Sequence, residues 1–216
     1  VYINSLVSYS AAAASYHCRI PCIWHIRELF EDAGGEMKIP HLIGKPLIQN
    51  QINKFASKII VNSRAVARNV LPAKSKLKTT VIPNSVSTKF FKFSQDVKSS
   101  RKELKLPLDA PIVGIPATLR PVKGHLFFIK AIPEILKQIP NCHFIFSGKI
   151  ESPFSLSIIN QLKHYTWKSQ CHFLGEIQSM EHFYNASDLL CVPSRSESFG
   201  RVVIEAFAMG KPVIGT

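Results

Sequence analysis

Two glutamates near the end of the chain stand in contrasting surroundings. Glu197 lies in a polar stretch of small residues, "SRSESFG", and Glu205 lies eight positions further on inside the apolar run "VVIEAFAM". A buried carboxylate without partners costs several kcal/mol, so Glu205 needs hydrogen-bond donors. The hydroxyls of a ribose would supply two. Arg201 is the alternative donor, since it precedes Glu205 by four positions and would face it on a helix.

The residues between the two glutamates favour an anionic ligand. Ser198, Phe199 and Gly200 precede the first turn of the predicted helix, and small residues there let backbone N–H groups approach an anion closely. Glu197 could accept hydrogen bonds from the hydroxyls of a second sugar. The stretch is therefore compatible with a sugar nucleotide. It is also compatible with a surface Glu197 and an ordinary Arg201–Glu205 ion pair.

Short apolar runs rich in β-branched residues alternate with helical patterns along the whole chain, which predicts parallel sheets covered by helices. The alternation stops in the basic segment "STKFFKFSQDVKSSRKELKLPLDA" and then restarts. We therefore expect two doubly wound, Rossmann-like domains facing a cleft. The predicted bounds are 1–86 and 109–216, with a crossing segment over 87–108. Ligands of such sheets bind beyond the carboxyl ends of the strands, where the sequence reads "WHIRE", "ATLRPVKGH" and "PSRSESFG".

The chain is basic, with a net charge of +13 over 216 residues. The excess concentrates between Lys54 and Lys105, where 13 Lys/Arg face two acids, Asp96 and Glu103. Such a surface attracts phosphorylated substrates, anionic lipid or nucleic acid, or simply aids solubility. A nucleic-acid module would interleave aromatic and basic residues. Only "KFFKF" at 89–93 does so, and we expect it to pack the crossing segment.

The five cysteines are scattered, which favours a reducing compartment. The cluster "HCRIPCIWH" could in principle hold zinc, but its spacing fits known zinc sites poorly. No run of about 18 apolar residues indicates a membrane span, and nothing at the start reads as a signal peptide. Since the sequence opens and ends within strand patterns, we expect a fragment with both domains incomplete.

The block "PSRSESFGRVVIEAFAMGKPVIGT" resembles the glutamate–seven residues–glutamate motif of the retaining glycosyltransferases of family 4, which have the α/β GT-B fold. "VIPNSV", "ATLRPVKGH", "FIFSGK", "CHFLGEI" and "WHIRE" resemble further blocks of that family in the same order. The resemblance covers essentially the whole chain.

The resemblance implies a role for each matching residue of the donor site. Glu197 would contact the donor-sugar hydroxyls and Glu205 the nucleotide ribose. Ser198, Phe199 and Gly200 would offer backbone amides near the diphosphate. These three residues belong to the same implied site as the two glutamates.

The loop "ATLRPVKGH" would supply the cations of the donor site. Lys123, followed by Gly124, would neutralise the charge that develops on the leaving diphosphate. The alternative for Lys123 is a solvated loop lysine. The family arginine of this loop is Thr118 here, and Arg120 lies on the same side of an extended segment, so Arg120 is the candidate replacement.

His25, at the end of the strand pattern "CIWHI", matches a family histidine near the acceptor, where a neutral imidazole accepts or positions a proton. A structural histidine is the alternative. Arg27 and Glu28 follow and either contact the acceptor or pair with each other.

The implied reaction is hexosyl transfer, with retention, from a UDP- or GDP-sugar to a hydroxyl of a glycan or lipid-linked acceptor in cell-surface polysaccharide or glycolipid synthesis. No protein nucleophile is involved. We expect no metal ion and no other cofactor, because no pair of carboxylates accompanies the diphosphate loop. We expect a cytoplasmic protein at the inner face of the membrane and no nucleic-acid partner.

Three alternatives stay open at this stage. A nicotinamide-dependent oxidoreductase would need a G-x-G-x-x-G triplet that the sequence lacks. A basic nucleic-acid-binding α/β module would explain the charge. A nucleotide-sugar-binding fragment without turnover is the third, and we expect these 216 residues alone to be inactive or nearly so.

Overall fold

A computed structural model describes residues 1–30, 44–150 and 152–216. The chain forms two compact units, each built on its own sheet. The first unit comprises Val1–Ser85 with Ser196–Gly200, and the second comprises Val86–Arg195 with Arg201–Thr216.

The first unit holds a parallel sheet in the order β1-β2-β3-β4. Its strands are β1 (Tyr2–Asn4), β2 (Ile23–Ile26), β3 (Lys58–Val61) and β4 (Thr79–Val81), and its helices are α1 (Tyr9–His17), α2 (Lys45–Phe55) and α3 (Arg64–Val70). Burial alternates along β2, where Trp24 and Ile26 enter the core while Ile23 faces solvent. The helical pattern "IPHLIGKPLIQNQINKFA", residues 39–56, forms a helix from Lys45, and residues 39–43 of this pattern lie outside the described ranges.

The second unit holds a parallel sheet in the order β7-β6-β5-β8-β9. Its strands are β5 (Ile112–Pro116), β6 (His143–Ser147), β7 (Cys171–Phe173), β8 (Leu189–Val192) and β9 (Val213–Gly215). Its helices are α4 (Thr88–Phe91), α5 (Val97–Glu103), α6 (His125–Gln138), α7 (Pro153–Leu162), α8 (Met180–Ala186) and α9 (Arg201–Ala208). The central strand β5 is almost wholly buried, as expected for a strand covered on both faces.

The segment predicted to cross between domains, 87–108, belongs to the second unit in the structure. Arg101 anchors it there: its buried guanidinium donates to the carbonyls of Ala186, Leu108 and Ala110 and to the carboxylate of Asp188 at 2.8–3.0 Å. Because a buried guanidinium needs such partners, this set of contacts fixes α5 to the sheet.

The aromatic residues of "KFFKF" also pack into the second unit. Phe90 is buried against the ring of Tyr184, with the ring centroids 5.8 Å apart, and Phe93 contacts His182 at 5.0 Å. The expectation that this segment packs the fold is confirmed for these two residues. Phe91, in contrast, is 65% exposed.

All five cysteines are free thiols, and Cys18 is the exposed one. Burial raises the pKa of the Cys22 and Cys142 thiols, that of Cys191 to about 11 and that of Cys171 to about 12. Within the described ranges, none of the helices is long and apolar enough to cross a membrane.

Candidate active site

The order of strands in the second sheet creates a crevice at its carboxyl edge. β5 and β8 are neighbours, but the chain leaves β5 towards β6 on one side and β8 towards β9 on the other. The loops that follow these two strands therefore diverge, which is where open parallel sheets bind ligands. Both loops, which begin at Ala117 and Pro193, were singled out from the sequence.

Gly124 brings the two loops into direct contact. Its backbone has a left-handed φ of +70°, and a Cβ at this position would lie 1.7 Å from the carbonyl oxygen of Pro193. The N–H of Arg195 donates to the carbonyl of Val122 at 2.8 Å. Only glycine satisfies both the backbone conformation and the contact, so the geometry of the paired loops depends on it.

His125 fixes the same loop from beneath, a role that the sequence analysis did not assign. The side chain is 1% exposed, and Nε2 lies 3.2 Å from the carbonyl oxygen of Ala117. Burial lowers the pKa of His125 to about 4, and the contact with the Ala117 carbonyl only partly opposes it. His125 is therefore a neutral, structural side chain that ties the start of α6 to the end of β5.

The two predicted cations stand on the loop after β5. Arg120 is exposed and extended, and Lys123 is half-buried in the short 3₁₀ turn Pro121–Lys123. Both belong to the segment that Gly124 locks against Pro193. Their diphosphate roles, and the replacement of the family arginine by Arg120, stay predictions.

Glu205 is buried, with 7% exposure, and its partners come from the protein itself. The Tyr184 hydroxyl donates to Oε2 at 2.7 Å, and Arg201 Nε and Nη2 both lie 3.1 Å from Oε1. The Arg201–Glu205 ion pair, one of the two interpretations left open by the sequence, is therefore present, and contact of Glu205 with a ribose stays a prediction. Burial, followed by the contact with Glu205, raises the pKa of Tyr184, which keeps its hydroxyl protonated as a donor.

The helix that carries Glu205 is less buried than its composition indicates. The run "VVIEAFAM" is apolar apart from Glu205, which favours a helix covered nearly all round, but its buried residues are Glu205 and Ala206, and Phe207 is 61% exposed. Glu205 therefore occupies the inner side of α9 next to Tyr184, while the Arg201 side chain is 69% exposed. The two partners of Glu205 thus differ sharply in their access to solvent.

The stretch Ser196–Gly200 clusters with the first unit. Its predicted residues Glu197, Ser198 and Phe199 are half-buried, and Gly200 is buried with a φ of +77°. The carbonyl of Ser198 accepts a hydrogen bond from the Ser63 hydroxyl at 2.5 Å. The roles of these residues in donor binding stay predictions.

His25 lies on β2 between Asn4 of β1 and Ile60 of β3. Its Nδ1 lies 2.7 Å from the Tyr2 hydroxyl, and within the described ranges its buried Nε2 has no hydrogen-bond partner. Burial and then the charge of Arg27 lower the pKa of His25, against the opposing charge of Glu28. The imidazole is therefore neutral at neutral pH, as the acceptor-side prediction requires.

Glu28 holds the strand-end loop of the first unit. Its carboxylate accepts from the Ser5 hydroxyl at 2.6 Å and from the backbone N–H groups of Leu6 and Arg27 at 3.1 and 3.0 Å. Glu28 therefore contacts Arg27 through the main-chain N–H of that residue, and contact of either residue with the acceptor stays a prediction. In the described part of the chain, no group of three or more His, Cys, Asp or Glu is placed to hold a metal ion.

Comparison with known protein families shows the family to which the chain belongs. Residues 96–216, more than half of it, match the family of glycosyl transferases group 1. The chain belongs to that family. It is 31% identical over 141 residues to the lipopolysaccharide core biosynthesis mannosyltransferase LpsB of Rhizobium meliloti, an alignment that covers 63% of this chain and 40% of LpsB.

Two further similarities extend over most of the chain. A D-inositol 3-phosphate glycosyltransferase of Corynebacterium jeikeium is 27% identical over 195 residues, which is 85% of this chain and 46% of the relative. The crystal structure of Anabaena Alr3699/HepE in complex with UDP and glucose superimposes with a TM-score of 0.81 and 26% identity, over 99% of this chain and 58% of HepE. The expected α/β fold of the GT-B glycosyltransferases is confirmed, and the chain spans roughly half the length of these proteins.

Proposed function

We propose that the protein is a retaining glycosyltransferase that moves a hexosyl group from a nucleotide-diphosphate sugar to an acceptor hydroxyl. One observation carries the proposal: the loops after β5 and β8 are locked together at the strand-order switch of the second sheet, through Gly124 against Pro193. This is the position at which a doubly wound sheet binds a nucleotide. Membership of the glycosyl transferases group 1 family supports the assignment.

The cations of the loop after β5 bind the donor diphosphate. Lys123 neutralises the charge that develops on the leaving group as the glycosidic bond breaks, and Arg120 takes the place of the family arginine. Gly124 lets the main chain approach the diphosphate, and the amides of Ser198, Phe199 and Gly200 add donors. Glu197 accepts hydrogen bonds from the hydroxyls of the transferred sugar.

When the donor binds, the hydroxyls of its ribose replace Arg201 as the partner of Glu205. The guanidinium of Arg201 is mostly exposed, so it can return to water when ribose hydroxyls take over the contact with Oε1. The Tyr184 hydroxyl stays on Oε2, since it is buried with the acid. The acid is thereby partnered in both the empty and the occupied state, which removes the cost of an unpaired buried charge.

Transfer proceeds with retention and without a protein nucleophile. The acceptor hydroxyl attacks the anomeric carbon on the face that the diphosphate leaves, and its proton passes to the departing phosphate oxygen. The protein supplies positioning and electrostatic stabilisation. His25, whose imidazole is kept neutral by burial, positions the acceptor hydroxyl.

No metal ion takes part in the proposed reaction. The sequence has no Asp or Glu between Asp109 and Glu134, so the loop that carries Lys123 offers no carboxylate to a cation on the diphosphate. Full activity in the presence of EDTA is the expected result.

The donor is a UDP- or GDP-sugar, and the acceptor is a glycan or lipid-linked glycan of the cell surface. HepE was crystallised with UDP and glucose, and LpsB is a mannosyltransferase of lipopolysaccharide core biosynthesis. We place the protein in the cytoplasm at the inner face of the membrane, because its net charge of +13 suits an anionic surface and its thiols are free.

Calorimetric titration with UDP-glucose, GDP-mannose and ADP-glucose tests the proposal. One of the three should bind, and Lys123→Ala should raise its Kd by about 10- to 100-fold, as expected for loss of a charge-assisted contact. Lys130→Ala, an exposed lysine of α6, is the matched control and should leave the Kd unchanged. Equal effects of the two variants, or no binding at all, would overturn the donor assignment, and the anomer of the product by NMR tests retention.

A further inference from the structure

The amino edge of the first sheet carries a row of cations. Because the four strands are parallel, the residues that precede β2, β3 and β4 lie at one edge of the sheet. Arg19 precedes β2, Lys54 lies in the last turn of α2 ahead of β3, and Lys58 is the first residue of β3. Lys74 and Lys76 precede β4, and all five side chains are exposed. Residues 44–85 contain eight Lys/Arg and no Asp or Glu, so this stretch of sequence offers no neutralising charge.

Specific contacts hold this edge together as one surface. Lys78 donates to the carbonyl of Asn53 and, at 2.7 Å, to that of Ala56, both at the end of α2. The Ser75 hydroxyl lies 2.8 Å from Oδ1 of Asn53. The segment Ala73–Lys78 is therefore packed against the end of α2, which also carries Lys54.

A cavity of about 560 Å³ opens on the same edge and combines basic with aromatic side chains. Tyr16, Arg19, Lys54 and Phe55 contribute to its lining. The Lys54 ammonium lies 5.1 Å from the centroid of the Tyr16 ring, and Tyr16 is 39% exposed. A tyrosine whose ring is partly covered beside a lysine is typical of the boundary between water and lipid.

Leu77 distinguishes between a lipid bilayer and a nucleic acid as the partner of this edge. It stands between Lys76 and Lys78 and is 97% exposed, although it is a large apolar residue. An anionic bilayer offers phosphates for the lysines and an apolar layer beneath them for the leucine. A nucleic acid offers phosphates and stacking bases but no apolar layer for an aliphatic side chain.

We propose that this amino-edge surface, formed by Arg19, Lys54, Lys58, Lys74, Lys76 and Leu77, docks the protein on an anionic lipid bilayer. The lysines contact lipid phosphates and Leu77 enters the headgroup layer. The surface gives a place to the membrane attachment proposed above, but it does not depend on sugar transfer.

Sedimentation with vesicles tests the surface at physiological salt. The protein should pellet with vesicles of phosphatidylcholine containing 30% phosphatidylglycerol and not with phosphatidylcholine alone. Lys74→Gln with Lys76→Gln should weaken binding by about 25-fold, at about five-fold for each lysine. The control pair Lys102→Gln with Lys130→Gln, exposed on helices of the second unit, lowers the net charge equally and should bind as the wild type does. Equal losses in both pairs would overturn the proposal.

A fluorescent reporter at Leu77 tests insertion directly. In Leu77→Trp, anionic vesicles should shift the added emission to shorter wavelength, while an unshifted emission with bound vesicles would contradict insertion. If the Lys74 and Lys76 pair lost affinity for random duplex DNA but kept its affinity for vesicles, the partner would be a nucleic acid and the proposal wrong. Donor affinity should be unchanged in all these variants, so failure of the donor assignment and failure of this surface are separate results.

Discussion

Two buried or half-buried carboxylates of this protein are satisfied in different ways. Glu28, at the strand end of the first unit, accepts two of its three hydrogen bonds from backbone N–H groups. Glu205, in the second unit, accepts all of its observed bonds from side chains, those of Tyr184 and Arg201. Both acids follow the rule that buried polar groups are hydrogen-bonded.

The two sets of donors differ in how easily they can leave the carboxylate for another partner. A backbone N–H can leave its acceptor only if the main chain of the loop changes conformation. Glu28 is therefore fixed, and its contact stabilises the loop. An exposed guanidinium can exchange its partner for water at small cost. An acid held by main-chain donors is therefore a structural element, whereas one held by an exposed side chain can accept a ligand.

If main-chain contacts are the fixed ones, the largest loss of stability in the second unit should follow substitution of Gly124 and not of Glu205. In Gly124→Ala, the Cβ meets the Pro193 carbonyl, and we expect a loss of more than about 3 kcal/mol in the free energy of unfolding together with loss of donor binding. Chemical denaturation and calorimetry measure the two effects.

Gly175→Ala is the matched control for this substitution. Gly175 has a φ of +68°, but nothing lies within 4 Å of the position of its Cβ. It should cost only the left-handed backbone penalty of about 1–2 kcal/mol. A similar loss for both variants would show that the contact with Pro193 is not what holds the loops.

Glu28→Ala should lower the free energy of unfolding by about 2 kcal/mol, because it leaves two backbone donors without their acceptor. Glu28→Gln keeps one acceptor oxygen in place and should lose about half as much. Urea denaturation followed by circular dichroism measures both. If Glu28→Ala costs less than Glu205→Ala, the contrast between main-chain and side-chain partners does not hold.

The pH dependence of stability tests the contribution of His125, which holds the loop after β5. Its pKa in the folded protein, about 4, lies below the unfolded value of 6.5, so the unfolded state binds the proton first and stability falls as the pH drops below 6.5. Between pH 7.5 and 5 the loss attributable to His125 is about 2 kcal/mol. His125→Gln should remove this part of the pH dependence, and an unchanged pH profile would contradict it.

The smallest effects separate the two partners of Glu205. Arg201→Ala removes an exposed partner and should change the free energy of unfolding by less than about 1 kcal/mol. Tyr184→Phe leaves a buried carboxylate oxygen without its donor and should cost about 1–2 kcal/mol. Tyr165→Phe, at a partly exposed ring, is the control for loss of a hydroxyl. A larger cost for Arg201→Ala than for Tyr184→Phe would reverse the proposed exchange of partners.

The order of elements and the loops that carry the candidate site could be predicted from the sequence. The alternation of β-branched runs with helical patterns predicts both parallel sheets, and Gly124 next to a basic loop marks the edge of the second. The partners of Glu205 could be predicted from the sequence only in part. Arg201 stands four positions away, so helical spacing predicts its contact. Tyr184 is 21 residues distant, and only the tertiary fold brings its hydroxyl from α8 to Glu205 on α9.

Other features depend on tertiary contacts in the same way. His125 looks like any residue at the start of a helix until its burial is known. Arg101 lies in a stretch without a strong apolar pattern, yet its bonds to Ala186 and Asp188 bring that stretch into the second unit. Periodicity reports which face of an element is apolar, and it carries no information on a single polar side chain that crosses to another element.

The distribution of thiols has a practical consequence. Four of the cysteines are at least half-buried with raised pKa values, while Cys18 is exposed beside Arg19. Because thiolates, not thiols, react with maleimides, a brief treatment at neutral pH should label Cys18 selectively in the unmodified protein. An environment-sensitive dye attached there would report events at the neighbouring cations without any engineered substitution.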